Sequence, residues 1–77
     1  METNKDFVYI VYDEDRGTMT VFHSKRHAIQ YMVKKVKEWG HHYLDDEDVE
    51  NLMAESEDGL NEIFFDFFIY REEYIID

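Results

Sequence analysis

The chain has no cysteine and no proline, only three glycines in 77 residues, and a single cation, Arg71, after residue 40. Without cysteine there is no disulfide, no thiolate nucleophile and no cysteine metal site, whereas small secreted domains are usually stapled. No proline or repeat marks an internal boundary, and 77 residues make one domain, near the size at which a single core is marginally stable. The glycines do not form a phosphate-cradling loop. No apolar run approaches the roughly 18 residues of a membrane span. The polar start, Met1 to Asp6, lacks the hydrophobic segment of a signal peptide. These absences point to a soluble, cytoplasmic protein of residues 1–77 with no membrane partner.

What is present is charge of one sign and a dense apolar scaffold. Residues 41–77 carry thirteen carboxylates against Arg71, a formal −12, while residues 1–40 are +1, which together make the stated −11. A small soluble domain needs a net magnitude of only about 2–8. The excess builds a negative potential that repels nucleic acid and attracts basic partners. At 44% hydrophobic and 17% aromatic, the chain nevertheless lies outside the disordered class.

Phe7 to Tyr12 is β-branched and aromatic throughout and reads as a central strand. Asp13-Glu14-Asp15-Arg16-Gly17 turns the chain, and Thr18 to Phe22 returns as a hairpin partner. Ser24 caps a helix through Trp39, with Gly40 as its stop. Ile29, Met32, Val33, Val36 and Trp39 form one apolar stripe, with Trp39 as the anchor on the sheet. Five of the eight cations, Lys25, Arg26, Lys34, Lys35 and Lys37, lie on this helix. Asp45 or Asp46 caps a second, shorter helix through about Glu55, which Glu57-Asp58-Gly59 ends. The aromatic tail from about Glu62 to Ile76 reads as a long strand, with helical spacing left open for residues 60–68. The expected fold is α+β, in the order ββααβ: a three-stranded antiparallel sheet with two helices packed on one face. That arrangement leaves an aromatic sheet face to cover, and a homodimer covers it.

Several chemistries find no complete constellation. Neither Asp13 to Gly17 nor Asp46 to Glu50 completes a calcium loop: Ser24 stands at the twelfth position of the first, and Asn51 replaces the glycine of the second. His23 and His27 lie at one end of the main helix and His41 and His42 at the other, about 20 Å apart at 1.5 Å per residue, so they do not converge on a metal. Ser24 and Ser56 lack a nucleophile elbow, and nothing isolates one carboxylate pair in a pocket. No enzyme activity, metal or cofactor is expected.

The acids have a more specific use. A DNA strand carries a phosphate about every 3.4 Å of axis. Two residues of a β-strand cover about 6.8 Å and one helical turn about 5.4 Å, so regularly spaced carboxylates can approximate a phosphate ladder. Asp46 and Glu50, and Asp45 and Asp48, have helical spacing; Asp66 and Glu72 share one strand parity, Glu73 and Asp77 the other. Asp45, Asp46, Asp48, Glu50, Glu72 and Glu73 are the candidate phosphate surrogates. The structural counterpart is a solvated acidic face that keeps the protein soluble.

A small, cysteine-free, strongly acidic, aromatic-rich α/β chain resembles the DNA-mimicking inhibitors that bacteriophages encode. The resemblance is one of composition and carries no motif. It implies a host-takeover protein acting in the bacterial cytoplasm on a basic DNA-binding protein, with no direct nucleic-acid contact. Candidate targets are a nucleoid-associated protein of the HU type first, then a CRISPR or restriction nuclease or RNA polymerase. The alternative is an adaptor or assembly protein whose aromatic C-terminal strand adds to a partner's sheet edge.

Overall fold

Strand β1 (Phe7–Asp13) lies at the centre of a three-stranded antiparallel sheet, between β2 (Thr18–Phe22) and β3 (Ile69–Tyr74), in a computed structural model that describes residues 7–75. Val11 stands opposite Thr20 on one side and Tyr70 on the other. The β1–β2 turn closes through Gly17, whose φ of 66° lets its N–H reach the Asp13 carbonyl at 2.8 Å. Asp13 is buried because its carboxylate organises the same turn, accepting the N–H groups of Asp15 and Arg16 at 3.1 and 3.3 Å.

Helix α1 (Lys25–Glu38) begins and ends where its sequence says. The Ser24 hydroxyl accepts the His27 N–H, and Gly40, at φ 90°, allows the N–H groups of Gly40 and His41 to close back on Lys37 and Val36. Ala28, Ile29, Met32, Val33 and Val36 are fully buried against Val11, Phe64, Phe68 and Tyr70. Trp39 differs from the expected anchor, because it is half-buried at the C-cap. Its indole packs on Phe67 and Phe68, with ring centroids 6.0 and 5.5 Å away. The Arg16 guanidinium covers the ring at 4.6 Å, tying the hairpin turn to the end of α1.

The segment after α1 carries two α-helices where one was expected, three in the chain rather than two. A 3-10 turn (Asp46–Asp48) runs into α2 (Val49–Met53), and Ser56 then caps α3 (Glu57–Ile63) by accepting the Gly59 N–H at 3.1 Å. Glu57, Asp58 and Gly59 therefore open a helix rather than end one. Two acids in a first helical turn favour that start. The long tail strand is likewise corrected: β3 spans only Ile69–Tyr74, and Ile76 lies outside the described residues. Leu60, Ile63, Phe64, Phe67 and Phe68 repeat at i, i+3, i+4, i+7 and i+8, a helical stripe that α3 and the following turn bury or half-bury against the core. Phe65 and Asp66, on the other side, are exposed.

Strand parity divides the sheet into two faces. Tyr9, Val11, Phe22 and Tyr70 meet α1, whereas Met19, Val21 and Ile69 point the other way and are exposed. The uncovered face is thus mixed, with Ile10 and Tyr12 beside Met19, Val21 and Ile69, and Arg71 and Glu73 on β3, since the tail's Phe64, Phe68 and Tyr70 are already in the core. Among the described residues, no helix is long and apolar enough to cross a membrane.

The outer edge of β3 is closed by side chains of α3. Asn61 donates its amide to the Tyr70 carbonyl at 2.7 Å and accepts the Tyr70 N–H at 2.8 Å, standing in for a fourth strand. The next outward N–H, on Glu72, goes to the Glu57 carboxylate at 3.3 Å. Asn61→Ala removes both partners of Tyr70 and should destabilise the fold by about 2–3 kcal/mol. Urea unfolding would show this as a lower midpoint, with faster hydrogen exchange at the Tyr70 amide. An unchanged midpoint would show that the clamp is incidental.

Tyr70 yields a second expectation. Burial, and then the hydrogen bond to and charge of Glu72, raise its phenol well above the ordinary value near 10. Above that pH the unfolded chain releases this proton while the folded chain retains it, so stability falls as pH rises. Tyr70→Phe should therefore lose less stability than wild type between about pH 9 and 11. Denaturation midpoints at both pH values check this, and equal losses would refute it.

Candidate functional site

The six acids expected to act together fall into two separate groups. Asp45, Asp46, Asp48 and Glu50 share the 3-10 turn and the start of α2. Glu72 and Glu73 are neighbours on β3 and so point to opposite faces of the sheet. Asp77, spaced to match Glu73, lies outside the described residues.

Most of the six have cations of their own. Lys37 lies 3.4 Å from Asp45 and 3.9 Å from Asp46, and Arg26 pairs with Glu50. Hydrogen bonding and charge from Arg26 hold the Glu50 carboxyl below its ordinary value, and Glu50 raises Arg26 in turn. Asp48 accepts the Asp45 N–H at 2.7 Å, so its side chain stabilises the start of the turn. Glu72 meets Lys25 at 3.3 Å and the Tyr70 hydroxyl at 2.9 Å, and Glu73 meets Arg71 at 3.1 Å. The cations of α1 are therefore a belt that stitches the acidic half to the first helix. Lys25 adds to it by donating to the Glu55 carbonyl at 2.7 Å. The 3-10 turn and α1 also border an open groove of about 570 Å³, lined by Lys34 and Lys37 as well as Glu38 and Asp46. Negative potential on this side is shared with positive charge.

The surface of α3 is different. Asp58, Glu62 and Asp66 recur every four residues and are exposed, and none is paired with a cation among the described residues. Four residues of helix rise about 6 Å, so Asp58 and Glu62 hold their charges one turn apart on one side of α3. Phe65 lies between Glu62 and Asp66 and is 74% exposed. Tyr43 stands nearby: its hydroxyl donates to the Ile63 carbonyl at 3.3 Å, and its phenol is raised first by desolvation and then by the charge of Asp66. Carboxylates beside open aromatic rings are the groups that receive arginine and lysine, through charge-assisted hydrogen bonds and cation–π contacts. Reading residues 62–76 as a strand hid this stripe, although the four-residue spacing was visible in the sequence.

The His41 ring packs tilted against Phe67, with centroids 4.9 Å apart, and no group of three or more His, Asp and Glu side chains gathers around a metal-sized site among the described residues.

No family model, no curated protein and no solved structure matches this chain.

Proposed function

We propose that this chain is an inhibitor that occupies the nucleic-acid site of a basic DNA-binding protein, presenting carboxylates where the DNA would present phosphates. The observation that carries this reading is the stripe Asp58, Glu62 and Asp66: exposed, regularly spaced and without counter-ions among the described residues, on a chain of net charge −11. Asp45, Asp46 and Asp48 extend the acidic surface. The exposed pairs of Asp45 and Asp46 with Lys37 contribute at most about 1 kcal/mol and yield readily to a partner's arginines. Phe65 and Tyr43 add area and cation–π contact, which a bare phosphate ladder lacks. The setting is the cytoplasm of a bacterial host, and a small DNA-clamping protein of the HU type is the first target to test.

The alternative, an adaptor that adds its C-terminal strand to a partner's sheet, meets an obstacle. Asn61 already holds both outward groups of Tyr70 and Glu57 the outward N–H of Glu72, so an incoming strand must displace both side chains.

The test is displacement of a labelled DNA duplex from an HU-type protein, followed by fluorescence anisotropy. Wild type should release the duplex at about 0.05–0.15 M salt and lose the effect near 1 M, where the screening length falls to about 3 Å. Reversing Asp58, Glu62 and Asp66 to Lys should weaken displacement at least about tenfold, or 1.4 kcal/mol, with the circular dichroism spectrum unchanged. Neutralising Asp45 alone should have a small effect, because Asp46 still faces Lys37. A folded triple variant that displaces DNA as well as wild type would sink the proposal.

A further inference from the structure

The two edges of the sheet are treated differently. On β3 both outward backbone groups of Tyr70 and the outward N–H of Glu72 are occupied by α3 side chains. On β2 nothing comparable is present among the described residues. Tyr70 turns its N–H away from β1, so its partner Val11 bonds towards β2. The alternation then places Thr18, Thr20 and Phe22 in bonds to β1 and leaves the N–H and C=O groups of Met19 and Val21 facing outward. Natural edge strands are commonly blunted by lysine, proline, a bulge or a covering element. Thr18-Met19-Thr20-Val21-Phe22 has no charge and no proline, and Met19 and Val21 are 63% and 49% exposed.

We infer that β2 is a self-pairing edge, and that two copies of the chain join through it in antiparallel fashion into one six-stranded sheet. The register is self-complementary about Thr20. Met19 faces Val21 of the second copy on the helix-free side and Thr20 faces its own counterpart, with four new backbone hydrogen bonds and two apolar cross-strand pairs.

Charge selects a second copy as the occupant. In a −11 chain, like-charge repulsion opposes self-association wherever acids face one another, and β2 itself carries none. The strand order β2-β1-β3 puts the acid-bearing β3 at the far edge. The two β3 strands of the dimer then lie five strand spacings apart, about 24 Å. That is beyond the screening length of about 8 Å at physiological salt. Antiparallel pairing also directs the hairpin acids Glu14 and Asp15 of one copy towards the start of the other's α1, where Lys25 and Arg26 stand. A basic target would instead seek the acidic surface on α3. Self-pairing is therefore independent of the proposed inhibition.

Sedimentation of the full chain at about 10–500 µM should show a reversible dimer of weak, small-interface character. Higher salt should change it little, because the β3 acids are already screened from one another, whereas target binding should weaken with salt. Met19→Lys with Val21→Lys should weaken association at least about tenfold. Ile69→Lys, on the same face but on the far strand, should leave it intact. In a sample mixing labelled and unlabelled chains, intermolecular contacts between the Met19 and Val21 methyl groups should appear, a readout that does not depend on how the variants fold. A strictly monomeric 9.5 kDa species at the highest concentration overturns self-pairing and leaves the edge to a strand of another protein. A dimer that survives the double lysine change but is lost in Ile69→Lys overturns the edge geometry in favour of face-to-face packing.

Discussion

Tyr70 is a central link between the acidic second half of this chain and the first, beside the ion pairs of α1 and the rest of the β1–β3 pairing. Its ring is fully buried in the core, its strand position pairs with Val11, and both its backbone groups are held by Asn61. Its hydroxyl meets Glu72, which in turn meets Lys25 at the start of α1. Sheet, α1 and α3 therefore converge on a single side chain. The position cannot be polar, because it sits in the core, yet it cannot be purely apolar without leaving Glu72 one partner short.

Around that junction the charge sorts itself by distance from α1. Several acids close to this helix find its lysines and arginine: Glu50 finds Arg26, Asp45 and Asp46 find Lys37, and Glu72 finds Lys25, whereas Glu47 and Asp48 of the same turn form no ion pair among the described residues. Acids farther along α3 find none among the described residues, because the eight cations of the chain are mostly confined to α1. The separation of charge along the sequence becomes, after folding, a partly neutralised side and an unneutralised one. A basic partner approaching in solution is drawn to the second. The exposed Phe65 lies there too, where a partner's guanidinium can stack as well as pair.

The sheet shows the same economy in its hydrogen bonds. Asn61 and Glu57 satisfy the edge that faces the acidic side, so that surface is free to act through its side chains alone. The opposite edge, uncharged, has no such side-chain partners among the described residues. In the proposed reading, one small sheet thus separates the charged surface offered to a basic protein from the edge offered to a second copy.

The sequence by itself determined the hairpin, α1 with both its caps, the antiparallel sheet and the uneven division of charge. Each follows from local rules: β-branched alternation, a serine before a 3.6-residue apolar repeat, a glycine able to take positive φ. It also contained the helical repeat of Leu60, Phe64 and Phe68, but the density of aromatic residues there fits a strand equally well. Only burial of that stripe against α1 decides between them. Tertiary structure alone decided which acids are free. Lys37 and Asp45, or Arg26 and Glu50, are separated in sequence by loops and a turn, and no local rule reports that folding brings them together. The candidate site consequently moved from the acids of the 3-10 turn towards those of α3, because net charge is a property of composition whereas unpaired charge is a property of contact.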